Sequence, residues 1–276
     1  MILYKYYGYK SGIEALKSSQ LGFTRPNFFN DPFELTSISN LNGDGPSAGI
    51  IKHTITEIKN NVAILSLTKE PLNKLMWSHY ADGYQGFAIG YKVDNNFLND
   101  EKLNFITVDS GDVFYTNKKF EINSGFKTVA SIAIGQKLLE GKNENLNNIF
   151  ERKSKKDIKK MLLTKHSSWH YEDEVRVVKY ISTDPDLQTR YQSDDNTKHL
   201  LINNNKTLLF NYNAEIKEVY LGLNNPLFGN IKPSENKILF DKAKAGNWSV
   251  YVAQMAKESW DLTRHELGQS TLLLPN

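Results

Sequence analysis

Trp169-His170-Tyr171-Glu172-Asp173-Glu174-Val175-Arg176, WHYEDEVR, runs on into Val177-Val178-Lys179-Tyr180, and its reading decides the fold. From Trp169 to Tyr180 the pattern is that of a strand. Successive side chains of a strand point to opposite faces, so Glu172, Glu174 and Arg176 share one face while Tyr171, Val175 and Val177 share the other. Neighbours on one face lie about 7 Å apart. One carboxylate can therefore pair with Arg176 while the other faces a ligand, because a single guanidinium does not neutralise both equally. The competing reading is an exposed face whose i, i+2 salt bridge contributes little.

Working outward, Ile2 to Tyr9 reads as a strand and Gly12 to Ser18 as a short helix. Val62 to Leu67 is a short buried strand, and Thr68 caps a helix carrying Leu72, Leu75, Met76 and Tyr80 on one face. Gly86 to Val93 alternates bulky Phe87, Ile89, Tyr91 and Val93 with Gly86, Ala88, Gly90 and Lys92, a bare face that lets another group approach closely. Residues 40–48 read as a loop, 102–116 as two strand-like runs, 127–165 as mostly helical, and 203–205 as a turn. Thr207 to Tyr212 and Ile216 to Leu223 are strands. Ile238 to Tyr251 suggests a hairpin turning at Gly246-Asn247, and Val252 to Leu267 a helix. The sum is an α+β chain with a mixed, mainly antiparallel sheet and flanking helices. We read residues 1–276 as one domain with a C-terminal helical extension at about 252–276.

Composition narrows the function. With 39% hydrophobic and 12% aromatic residues in 276, the chain can bury a core and is not of the disordered class. A formal charge of +3 is far from the field of a dedicated nucleic-acid binder and equally suits an anionic small molecule. The absence of cysteine excludes disulfides, thiol nucleophiles and thiolate metal centres. No run approaches the length of a membrane span, so no membrane partner and a cytoplasmic location are expected. Neither HExxH spacing nor a P-loop occurs, and no metal is expected.

Two further clusters carry chemistry. Met76-Trp77-Ser78-His79-Tyr80-Ala81-Asp82-Gly83 puts His79 beside the apolar stripe, as a core-edge histidine or an acid-base group. Ser78 and His79 diverge on a helix and cannot pair with each other. In Asn30-Asp31-Pro32-Phe33-Glu34 the Asx-Pro turn is expected to be pinned to the core by Phe28, Phe29 and Phe33, or to place Asn30, Asp31 or Glu34 at a pocket mouth. Lys153, Lys155, Lys156, Lys159 and Lys160 read as a solvated helix face.

Taken in order, LYKYY (Leu3–Tyr7), FNDPFE (Phe29–Glu34), LSLTKE (Leu65–Glu70), MWSHYADG (Met76–Gly83) and W-x-YE-x-E-x-R (Trp169–Arg176) resemble the bacterial domain-of-unknown-function family 2971, over roughly residues 2 to 225. The family name conveys no reaction. The arrangement is also similar to ADP-ribosyltransferases, which bind NAD on a split sheet. That resemblance sets Lys5 on the first strand, Ser66-Leu67-Thr68 at the Ser/Thr motif and Glu172-Asp173-Glu174 at the catalytic glutamate. Lysine there replaces an arginine or histidine, and Leu67 interrupts the Ser/Thr motif. It implies Glu174 and Glu172 as catalytic residues, with Tyr4, Lys5, Ser66, Trp77, His79 and Tyr80 around NAD and Arg176 as a further pocket residue. It also implies a protein or nucleic-acid acceptor, a toxin or anti-phage role, and a neutralising partner. A non-catalytic recognition module and a Mg²⁺-dependent hydrolase or nuclease using Glu172, Glu174, Asp31 and His79 are the alternatives.

Overall fold

The computed structural model describes residues 1–18, 20–36, 38–39, 55–56, 58–94, 97–101, 103–119, 121–122, 152–181, 199–202, 207–211, 215–228 and 233–267. The first half holds β1 (Ile2–Tyr7), α1 (Tyr9–Lys17), β2 (Gln20–Thr24), β3 (Ile38–Ser39), β4 (Val62–Thr68), α2 (Lys74–Tyr80), β5 (Phe87–Lys92), β6 (Phe114–Thr116) and β7 (Glu121–Ile122). The second holds α3 (Arg152–Leu162), β8 (Thr164–His166), β9 (Glu174–Tyr180), β10 (His199–Ile202), β11 (Thr207–Asn211), β12 (Glu215–Leu221), α4 (Pro233–Gly246), β13 (Ser249–Met255) and β14 (Leu262–Glu266).

Ten strands form one sheet in the order β10-β11-β2-β4-β1-β5-β12-β13-β14, with β9 paired to β4 outside that path. Its pairs are antiparallel except β12 with β13, so the sheet is mixed and mostly antiparallel. Strand β4 is where it divides. Along β9 it pairs at every position from Val62↔Tyr180 to Thr68↔Glu174. Its other contacts are single: Ile64 with Thr24 of β2, and Thr68 with Tyr4 of β1. Strands β1 and β2 thus part on either side of Ser66, leaving a fork in the sheet.

Alternation on these strands assigns the layers. Ala63, Leu65 and Leu67 of β4 and Val175 and Val177 of β9 face one core, shared with Ile13 and Leu16 of α1 and Leu239 and Ala243 of α4. A second core joins Ile64 and Val178 to Ile158, Met161 and Leu162 of α3. A third seats Met76 and Trp77 of α2 on Tyr4, Tyr6, Ala88 and Tyr220. The bare face of β5 is used here: a Cβ on Gly90 would stand 2.8 Å from a ring carbon of Tyr4, so glycine is what lets that ring lie across the sheet.

Several sequence expectations are corrected. The strand read from Trp169 begins only at Glu174, because Ser167–Glu172 is a 3₁₀ turn ended by Asp173 in the left-handed region at φ 39°. Aspartate tolerates that conformation, and it breaks the extended chain. Thr68 ends β4 and accepts from the Glu70 amide, while Asn73 caps α2 by accepting from Leu75 and Met76. The strand expected from Ile238 is instead α4, with Glu235 in its first turn, Lys244 in its last, and Leu239 and Ala243 buried one turn apart. The helix expected from Val252 to Leu267 is the β13–β14 hairpin, since Val250 and Val252 face inward while β14 is largely exposed. Thr164–His166 is a strand, parallel to β6, where a helix was read. Of the two strand-like runs in 102–116, Phe114–Thr116 is a strand while Val108–Ser110 is a 3₁₀ turn. The turn at Asn30 is held by Leu35, which is buried, and by Phe29, with Phe28 and Phe33 exposed. The loop read at 40–48, the turn at 203–205 and most of the helical stretch before Arg152 lie outside the described residues. Among the described residues no helix is long and apolar enough to cross a membrane.

Candidate functional site

The fork between β1 and β2 floors a cavity of about 400 Å³, within the roughly 300–1,000 Å³ usual for small-molecule sites. β1 supplies Tyr4, Lys5 and Tyr6, β4 supplies Ser66 and Thr68, and β9 supplies Glu174 and Arg176. α2 contributes Met76, His79 and Tyr80 from above, the turn after β2 contributes Phe29, Asn30 and Glu34, and Lys165 and Glu172 close the far wall. Alternation turns Lys5 away from Tyr4, yet it lines the same cavity, because on this edge of β1 only Tyr4 has a strand partner.

Five ionisable side chains meet at the wall, each 7% exposed or less. Arg176 grips Glu174 with two bonds, Nε to Oε1 at 2.8 Å and Nη2 to Oε2 at 2.9 Å, and reaches Glu34 at 2.5 Å. Its remaining nitrogen donates to the Leu162 carbonyl at 2.8 Å. Lys165 lies 2.5 Å from Glu172, 2.9 Å from Glu34 and 3.3 Å from Glu174. Two cations thus serve three carboxylates. Lys5, the third cation on the wall, feels the Glu174 charge across the fork.

This unequal sharing drives the two glutamates apart. Burial raises the Glu174 carboxyl, but Arg176, then Lys165, and a hydrogen bond from Ser66 overcome it and hold the group at about 2. Burial also raises Glu172, and there it prevails: Lys165 and the Tyr80 hydroxyl, which donates at 2.7 Å, only partly offset it, while the Glu174 charge adds to it. Glu174 is therefore a fixed anion, and Glu172 is the carboxylate with the greater proton affinity. Burial lowers Lys5 to about 8, with Glu174 pulling the other way.

Most of the residues singled out in the sequence converge here. Tyr4, Lys5, Ser66, His79, Tyr80, Asn30, Glu34, Glu172, Glu174 and Arg176 all line this one cavity. His79 is exposed at its edge, 6.3 Å from the Tyr171 ring, and is no core-edge histidine. Two residues are placed elsewhere. Trp77 is fully buried beneath α2, its Nε1 donating to the Pro71 carbonyl, because it faces the third core and not the cavity. Asp31 accepts from the Phe33 amide and lines a neighbouring chamber. Lys165 was missed. No local pattern marks it: the three acids it serves, Glu34, Glu172 and Glu174, are gathered only by the fold.

The fold and cavity define an α+β protein with a buried, charge-rich site at a sheet fork. Residues 76–177 match the family described as Protein of unknown function (DUF2971). The family resemblance is borne out over that segment, which carries His79, Tyr80, Lys165, Glu172 and Glu174. No curated protein and no solved structure matches the chain.

Proposed function

We propose that the chain is an NAD-binding, ADP-ribosyltransferase-like enzyme that breaks the nicotinamide-ribose bond. One observation carries the reading: Lys5, Ser66 and Glu174 come from β1, β4 and β9, strands joined side by side through β4, and line a single cavity. In the reaction the bond from ribose C1′ to the nicotinamide nitrogen breaks and its electron pair leaves with neutral nicotinamide. Ionised Glu174, itself buried, stabilises the positive charge that develops on the ribose. The acceptor hydroxyl or amine then bonds to C1′ and passes its proton to Glu172. Tyr4 and Tyr80 offer rings for nicotinamide, and cationic Lys5 faces the pyrophosphate. A toxin or anti-phage role, and a partner that silences it, belong to the same reading.

Incubating the protein with NAD and measuring free nicotinamide tests this directly. Release above a protein-free control is expected, and none, with and without candidate acceptors, overturns the reading. The rate is also expected to fall as pH rises through about 8, where Lys5 loses its proton and its hold on an anion. A Lys5→Arg variant, whose charge persists, should move that alkaline limb upward. A limb unmoved by the substitution removes Lys5 from the site.

The recognition-module reading is favoured by one fact, that each carboxylate on the wall is already ion-paired. The Mg²⁺ reading has less support. Among the described residues no group of three or more His, Asp and Glu side chains is placed to hold a metal ion.

A further inference from the structure

The wall formed by Glu34 and Lys165 has a second side. There a chamber of about 560 Å³ opens, with Phe33 and Trp169 among its lining residues together with Lys118, Lys119 and His166. Phe33 is 69% exposed, so its ring is open to a ligand in the chamber. Cations already sit against both rings: Lys119 lies 5.9 Å from the Phe33 centroid and Lys165 lies 5.0 Å from that of Trp169. The chamber's carboxylates are committed inward. Glu34 is bound to Lys165 and Arg176, and Asp31 accepts from the Phe33 amide. Lys118 and Lys119 are exposed, and among the described residues neither is paired with a carboxylate.

We infer that this chamber binds a nucleobase together with its phosphate. Two aromatic rings lining one space suit a flat π-face, whatever the base. The lysines at the rim supply the counter-charge for phosphate, where a neutral aromatic ligand would leave them unused. Because the chamber shares Glu34 and Lys165 with the charged cavity, a nucleotide held here lies within one ion pair of Glu172 and Glu174. The binding stands without the enzyme reading; only the occupant's role as acceptor rests on it. The source of the base is open to two answers, a mononucleotide or a single strand of nucleic acid.

Fluorescence anisotropy with labelled AMP, a labelled six-nucleotide single-stranded RNA and a labelled polyglutamate peptide separates these. Binding of AMP as tight as that of RNA assigns a mononucleotide site, and binding of RNA alone assigns a single-strand site. Phe33→Ala is expected to weaken the bound probe about tenfold, the worth of one stacked base. Lys118→Glu with Lys119→Glu should weaken it further and flatten its salt dependence. All three positions are exposed, so unchanged melting confirms that the fold survives. Equal binding of polyglutamate, no binding of either nucleotide, or indifference to Phe33→Ala overturns the inference. Nicotinamide release without added nucleotide, measured on the same Phe33→Ala protein, is expected to be unchanged. Nucleotide binding without any release would therefore fail the enzyme reading alone, and release without nucleotide binding would fail this one alone.

Discussion

Arg176→Met is expected to lower the unfolding free energy by about 3–5 kcal/mol, the usual cost of stranding a buried partner charge, and the melting temperature by roughly 10 °C. Methionine replaces much of the volume, so the loss is electrostatic. Arg176 is fully buried and is the guanidinium common to Glu34 and Glu174. Without it, Lys165 faces three carboxylates alone, and the Leu162 carbonyl loses its donor. The stranded charges also predict coupling. Combining Arg176→Met with Glu34→Gln should cost less than the two single losses added together, by more than about 0.5 kcal/mol. Thermal and urea melts check both points. A single-variant midpoint within about 2 °C of the parent would mean that the network contributes little.

Acid has a related effect. Glu174 sits at about 2 in the folded chain against an ordinary 4.5. Its stabilisation is complete above 4.5 and is lost as pH falls from there through 2. Glu172, raised by burial, has the opposite sign: its proton is held more tightly folded than unfolded, so that contribution is present below 4.5 and fades as pH rises through the folded value. Early acid unfolding is therefore governed by Glu174 and its partners.

How far the sequence went depended on the range of the forces involved. Local signals placed β1, β4, β5 and the strand part of β9, because each has a β-rich pattern and a bounding turn. The pairing of Glu174 with Arg176 on one strand face was also local, a matter of period two. Glu172 was assigned to that face by the same rule, yet it reaches the cavity from a 3₁₀ turn, past Asp173 at φ 39°. At the C-terminus the runs around Ile238 and Val252 are apolar and short, and their local patterns suit either period. Only packing against α1 and pairing with β12 separates them, and both are contacts over long sequence distance. Lys165 was invisible for the same reason. Nothing near it in sequence marks it, and its importance arises when the fork brings Glu34, Glu172 and Glu174 to its ammonium.

Glu174→Gln is expected to reduce nicotinamide release by on the order of 10²- to 10³-fold, with KM for NAD changing far less. The amide keeps the shape but has one acceptor oxygen where Arg176 uses two, and it has no charge to set against the oxocarbenium. Because Glu174 also serves the ion network, stability and catalysis must be read apart. The assay therefore runs well below the variant's melting transition, with Arg176→Met as the comparison for damage to the network. Glu172→Gln supplies the second contrast. Under the proposed reaction, its raised proton affinity predicts an acidic limb set by Glu172, above the range in which Glu174 titrates. That limb should vanish in Glu172→Gln and persist, at a much lower rate, in Glu174→Gln. Equal loss in both variants with the acid limb intact would mean that the two carboxylates act only as supports for the fork. A Glu174→Gln protein that is folded and releases nicotinamide at the parental rate would remove the central anion from the mechanism, and with it the reason for a carboxylate held near 2 at the bottom of a cavity.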